Sequence, residues 1–192
     1  MGRWEPNARE RLERAALDLF VEHGYDATTV AAIAERAGLT KSTFFRHFAD
    51  KREVLFGAPD LLADLLAGAI AAAPPPAPPA ACLAAALDAA AAASFTAERR
   101  GLARQRRAVV ASSSELRERE LLKLSRVAAA MAAAFRARGT GDTTARLAAE
   151  IGVLAFGLAF ESWTEEGNAR PFTDIAHETL RDLQASAAAL GA

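Results

Sequence analysis

The chain has 192 residues, 52% of them hydrophobic, and a formal net charge of −1. That is enough apolar material for one globular unit or two small ones without covalent staples, and Cys82, the only cysteine, excludes an internal disulfide. The near-neutral total excludes a uniformly basic surface, so a nucleic-acid partner would have to be met by a local patch.

The N-terminus carries Arg3, Glu5 and Glu10 rather than an apolar run, and no stretch of 18 uncharged apolar residues serves as a candidate membrane span. The longest apolar region is broken by Pro74, Pro75, Pro76, Pro78 and Pro79. The expectation is a soluble, cytoplasmic protein with no membrane partner. A first helix is expected from about Asn7 to His23, with Leu12, Ala16 and Phe20 in one row, Leu17 and Val21 in the next, and Gly24 closing it. In a second helix Val30, Ile33, Ala34 and Ala37 fall within one arc of about 100°, so only that face is suited to burial. Gly38 suits a left-handed helix end, and the Thr40 hydroxyl is placed to cap a third helix. There Phe44 and Phe48, four apart, share the core side and leave Ser42, Thr43, Phe45 and Arg46 pointing outward. Two short helices around a glycine corner, the second exposed, match the helix-turn-helix of DNA readers, although a plain helical hairpin would satisfy the same spacing.

Surrounding residues narrow that choice. Ala16, Leu17, Phe20, His23 and Gly24, followed by Tyr25, Ala27, Thr28, Thr29, Val30, Ile33, Ala34, Gly38, Thr40, Thr43, Phe44, His47, Phe48 and Lys51, resemble the N-terminal domain of the tetracycline-repressor (TetR) family of bacterial regulators, without a gap from about Arg9 to Phe56. One residue departs from the pattern. Phe45 stands where most of the family has tyrosine, which removes a hydroxyl that would reach a phosphate. The resemblance implies an all-α chain of about nine helices, with a helix-turn-helix DNA-binding domain over 7–57 (motif about 29–48) and a ligand-binding and dimerisation domain over 58–192.

From Arg36 to Arg52 the basic residues are Arg36, Lys41, Arg46, Lys51 and Arg52 against Asp50 alone, whereas residues 1–56 as a whole are balanced. A few phosphate contacts are therefore expected, each adding about −0.9 to the salt slope. The recognition helix enters the major groove N-terminus first, which assigns base edges to Thr40, Lys41, Ser42, Thr43 and Arg46. Thr28, Thr29, Phe45, His47 and Lys51 are expected as supports or backbone contacts, Thr43 and Phe45 also being suited to a thymine methyl.

Asp50 and Glu53 form a capping-box pattern that would start a fourth helix at Lys51. Gly57, Ala58 and Pro59 interrupt it, either as a hinge between the two domains that the resemblance implies or as a plain kink that fits the helix to its neighbours. The proline run 74–79 is expected to be an extended connector. Ala-rich helices are then expected at about 80–96, 98–111, 114–138, 143–166 and 173–189. Arg99, Arg100, Arg104, Arg106 and Arg107 cover roughly 160° of one of them, suiting a solvated face, a packing surface or an anionic ligand.

Catalytic and metal chemistry find no support. Arg181 stands where a zinc-protease helix starting at His177 and Glu178 needs its second histidine, and Thr144 stands where a dinucleotide loop opened by Gly139 and Gly141 needs its third glycine. No catalytic residue, metal or cofactor is expected, and the chain reads as a non-enzyme. The resemblance implies double-stranded DNA as partner with a near-palindromic operator, a homodimer, and a small-molecule effector. Leu147, Ile151, Leu154, Leu158, Ile175, Leu180 and Leu183 supply apolar rows for the dimer or for an internal core. Candidate effector walls are Leu66, Ile70, Phe95, Leu102, Met131, Phe135, Phe156, Phe160 and Trp163, with Glu161 as a charged partner. The alternatives are an effector-independent DNA-binding protein and a helical interaction module.

Overall fold

The computed structural model describes residues 7–57 and 60–190, and every regular element among them is helical. In order these are α1 (Ala8–His23), α2 (Val30–Arg36), α3 (Lys41–His47), α4 (Glu53–Phe56), α5 (Leu61–Ala72), α6 (Pro79–Ser94), α7 (Arg100–Ala111), α8 (Ser114–Ala137), α9 (Asp142–Trp163) and α10 (Phe172–Ala189), with one 3-10 turn, Ala97–Arg99, before α7. The all-α class holds, with ten helices rather than about nine, because α4 is a separate single turn.

That turn starts at Glu53, two residues later than expected. The Asp50 carboxylate accepts from the amides of Arg52 (2.8 Å) and Glu53 (3.0 Å), while the Glu53 carboxylate reaches back to the Ala49 amide. The capping exchange is present, but it holds Lys51 and Arg52 in a turn ahead of the helix. Gly57 ends α4 at φ 70°, its amide donating to Glu53 O at 2.8 Å. Ala58 and Pro59, the rest of the expected hinge, lie outside the described residues.

Contacts divide the chain into two compact units, Met1–Pro59 with Leu102–Glu120, and Asp60–Gly101 with Leu121–Ala192. The first takes in most of α7 and the start of α8 besides the N-terminal helices. Its core joins Leu12, Ala16, Leu19 and Phe20 of α1 to Ile33 and Ala34 of α2, Phe44 and Phe48 around α3, and Leu55, with Val109, Val110 and Leu116 closing it. Polar ties reinforce that closure. Gln105 Nε2 donates to Asp18 Oδ1 (3.2 Å), and Arg106 donates to Leu55 O while pairing with Glu120 at 2.6 Å.

In the second unit α5 packs on α6, α6 on α9 and α10, and α9 along α10. The buried side of α9 is built from small residues, Ala145, Ala148, Ala149, Gly152, Ala155 and Ala159, before Phe156 and Trp163 supply bulk. A Cβ on Gly152 would stand 2.6 Å from Met131 Cε and 2.7 Å from Leu83 Cδ2, so the absent side chain is what lets those groups approach. Pro79, last of the proline run, is the first residue of α6, where its missing amide has no helical partner to lose. Arg138 closes the far end of α5 by donating to Ala71 O (3.2 Å) and Ala73 O (2.6 Å).

Of the expected apolar rows, Ile175 and Leu180 are buried within this unit, whereas Leu147, Leu154 and Leu158 on α9 are exposed. Small inner residues and an outer leucine row together make α9 apolar and long enough to cross a membrane by length and composition. The criterion of 18 uncharged residues passes over α9 because the helix carries Arg146 and Glu150.

Candidate nucleic-acid interface

The α2–turn–α3 geometry follows from three local devices. Thr29 caps α2, its hydroxyl accepting from the Ala32 amide at 3.1 Å. At the other end Gly38 N donates to Glu35 O (2.9 Å) and Leu39 N to Ala34 O (2.8 Å), a Schellman ending that requires a residue at positive φ, here Gly38 at 65°. Arg11 Nη2 donates to Ala37 O across the same corner and lies 3.0 Å from where a Cβ on Gly38 would be. Thr40 then caps α3, accepting from Thr43 N at 3.1 Å and sharing a hydroxyl contact with Thr43 Oγ1 at 3.0 Å. These bonds fix the angle at which α3 leaves the corner.

Burial fixes which side of α3 is offered. Phe44 and Phe48 are fully buried and in ring contact at 5.4 Å, each contributing about 1.5–3 kcal/mol of transfer free energy. Lys41, Ser42, Phe45 and Arg46 are exposed, and Thr43 and His47 half-buried. Phe45 is 56% exposed, a large apolar ring kept in water at the centre of a polar, basic face. The exposed set combines donors suited to guanine or phosphate, a short hydroxyl and an apolar surface suited to a methyl group.

Other expected contact residues are occupied within the fold. Thr28 is buried and donates to Gly24 O at 2.8 Å and Leu19 O at 3.2 Å. Lys51 Nζ donates to Tyr25 O (2.7 Å), Asp26 O (3.3 Å) and Thr28 O (3.0 Å) and stands 4.2 Å from the Tyr25 ring centroid. Its ammonium ties the α1–α2 connection to the segment after α3. Burial, assisted by the Asp50 charge, pushes the Tyr25 hydroxyl up to about 12. Arg36 forms a two-pronged pair with Glu22 (2.7 and 3.0 Å), and Arg52 pairs with Asp50. Of the five basic residues from Arg36 to Arg52, only Lys41 and Arg46 therefore have no partner among the described residues.

Sequence reasoning took Thr29 for a DNA support and did not see that it caps α2. A threonine immediately before an apolar-periodic run was the available signal. The role of Arg11 carried none, because it depends on α1 crossing the corner.

The expected effector residues separate. Phe95, Phe156, Phe160 and Trp163 come together with Phe172, which sequence reasoning did not single out, at centroid distances of 4.3 to 6.4 Å. Leu66, Ile70, Met131 and Phe135 are buried in the same unit, Glu161 is exposed, and Leu102 packs instead on the core of the first unit. The arginine run is likewise divided, Arg106 serving the first unit and Arg100 the second.

Residues 13–58 match the family described as bacterial regulatory proteins, tetR family. The HTH-type transcriptional regulator TcmR of Streptomyces glaucescens is 54% identical over 46 residues, 24% of this chain and 20% of that protein, so the chain spans about a fifth of the relative it matches there. Two solved structures share the fold at greater length. A transcriptional regulator from Aquifex aeolicus aligns over 93% of this chain and 99% of its own (TM-score 0.56, 17% identity). The complex of SmeT with triclosan aligns over 93% and 90% (TM-score 0.62, 20% identity), SmeT being the repressor of the Stenotrophomonas maltophilia multidrug efflux pump SmeDEF. The glycine corner, the capped helices and the anchored phenylalanines all lie in the matched segment, and it is this segment, residues 13–58, that is of the tetR family of bacterial regulatory proteins.

Proposed function

We propose that this chain is a sequence-specific DNA-binding transcriptional regulator, a repressor that binds as a homodimer and is released by a small, mostly apolar effector. Residues 7–57 carry the reading helix, and 58–192 carry effector binding and dimerisation. The observation that supports this best is α3, with two buried phenylalanines behind it and Lys41, Ser42, Phe45 and Arg46 exposed in front. A seven-residue helix reads few base pairs, so two copies on a near-palindrome supply the specificity. The outward row of Leu147, Leu154 and Leu158 on α9 is the surface offered to the second copy, since the α10 residues Ile175 and Leu180 are spent internally.

The effector belongs with the second unit, where the aromatic cluster lies. SmeT, of the same fold, has been solved with triclosan. A coupling of roughly 1–3 kcal/mol between effector and DNA would lower DNA affinity several-fold to a hundredfold.

Genomic footprinting of bound sites is the direct test, and failure to bind any promoter duplex at low ionic strength would end the reading. Arg46→Ala is expected to cost about 1–3 kcal/mol at one operator position if it reads a base. A uniform loss with a shallower salt slope assigns Arg46 to phosphate instead. Leu154→Glu is expected to give monomers by sedimentation, and a retained dimer would place the interface elsewhere.

A further inference from the structure

Arg100 and Trp163 lie side by side in the second unit, and each holds a buried N–H that meets no acceptor among the described residues. Trp163 ends α9, fully buried, with its indole Nε1 unpaired. Arg100 begins α7 with its guanidinium carbon 5.3 Å from the Trp163 ring centroid. Its Nη1 donates to Asn168 O and its Nη2 to Arg170 O at 2.7 Å, which leaves Nε without a partner. Both of its bonds are to neutral carbonyls, and no carboxylate among the described residues pairs with it. A buried donor left without an acceptor is rare, and two in one neighbourhood beside an uncompensated cation point to an anionic acceptor.

The surroundings define the rest of such a ligand. Phe95 stacks on Phe172 at 4.3 Å and 21° and meets Trp163 edge-on at 5.4 Å. Phe95 and Phe160 are half-exposed, whereas Phe156, Phe172 and Trp163 are buried, so the cluster has a rim and a floor. Phe95 follows α6 in a non-helical conformation (φ −111°, ψ 53°), on a connecting segment rather than inside a helix. An incoming aromatic ring can exchange with it against Phe172 at the smallest cost in helical structure.

We infer that this cluster binds an aromatic carboxylate. The ring lies against Phe172 and Trp163 where Phe95 now stacks, and the carboxylate accepts from Trp163 Nε1–H and Arg100 Nε–H. A hydrocarbon leaves both donors unpaired, and an aromatic amine brings a second cation to Arg100, so charge and hydrogen bonding select the acid. The inference rests on the effector reading and gives the effector's chemical class.

The test uses the full chain with Trp4→Phe, so that Trp163 supplies the only indole N–H resonance, titrated with 2-naphthoate and separately with naphthalene. The expected result is a saturable downfield shift with 2-naphthoate and binding of naphthalene at least about tenfold weaker. Arg100→Gln is expected to remove that preference, and Trp163→Phe, which keeps a ring, to weaken 2-naphthoate about tenfold as read by calorimetry. No saturable shift, or equal affinity for the two probes, overturns the inference. Arg100→Gln carries the test by itself if the tryptophan variant fails to fold. Binding here with operator affinity unchanged keeps the site and removes the effector reading. A compound that releases DNA without moving the Trp163 resonance keeps the effector reading and removes this site.

Discussion

The first unit hides its apolar atoms behind a few large side chains, whereas α9 of the second buries much of its inner side by bringing backbones close. Around α3 the work falls on Phe44, Phe48, Phe20, Leu12 and Ile33, each under 4% exposed. Along α9 it falls on Ala145, Ala148, Ala149, Gly152, Ala155 and Ala159, with aromatic bulk only at the helix's end. A unit of the first kind can hold a short helix rigidly in one orientation, as a reading helix needs. A helix like α9 brings little side-chain volume of its own to the core until Phe156 and Trp163, which join a cluster where a ligand can compete for contact.

The contrast breaks first at its largest side chain. Phe44→Ala removes a fully buried ring from the far side of the reading face and is expected to cost about 3–5 kcal/mol in chemical denaturation, with loss of DNA binding. A loss under about 1 kcal/mol would show that the core of the first unit collapses around the gap and is not the rigid support described.

In the second unit the sensitive change is the opposite one, an enlargement. Gly152→Leu must displace Met131 and Leu83 and is expected to cost about 1–3 kcal/mol, whereas Leu154→Ala on the outer row of the same helix is expected to leave the isolated unit's stability nearly unchanged. Equal effects at the two positions would mean that close backbone approach is not what orders α9.

The two regions also differed in what their residues disclosed. Gly38, Thr40, Phe44 and Phe48 were legible because a positive φ, a cap and a four-residue spacing each admit few residue types. Lys51 was not, since its partners are carbonyls 23 to 26 residues away and its sequence context equally suited a phosphate contact. The attachment of 102–120 to the first unit was hidden for a similar reason. Val109, Val110 and Leu116 look like any apolar helix positions, and the partner they choose is a tertiary matter. Phe172 escaped notice because it follows Pro171 at a helix start, and only the fold brings it to Phe95.

Lys51 gives the sharpest intermediate test. Lys51→Met keeps the stem but removes the donors to Tyr25, Asp26 and Thr28, and is expected to lower stability by about 2 kcal/mol. Unchanged stability together with a salt slope shallower by about 0.9 would return Lys51 to the role of phosphate contact. Thr40→Ala removes the α3 cap and is expected to cost about 1 kcal/mol, while Thr40→Gly, better tolerated at a cap, should cost only a few tenths. A pair of equal losses there would place the effect of Thr40 outside capping.

The smallest expected effect concerns acid. Burial opposes ionisation of Asp50, yet the hydrogen bond from Arg52 and the amides of Glu53 and Arg52 outweigh it and hold the carboxyl below its ordinary value. A group whose folded value is depressed binds its proton more readily when unfolded, so its contribution is complete above the unfolded value of about 3.9 and is lost as pH falls through the folded one. With the side chain 41% exposed, solvent screening keeps this well under about 1 kcal/mol. Asp50→Asn retains an acceptor for the two amides but cannot titrate. Thermal unfolding followed from pH 6 downward should therefore show the two proteins running parallel at first, with the native chain losing stability faster below about pH 4. Parallel curves throughout would mean that the turn before α4 owes its order to packing of Leu55 and Phe56 alone.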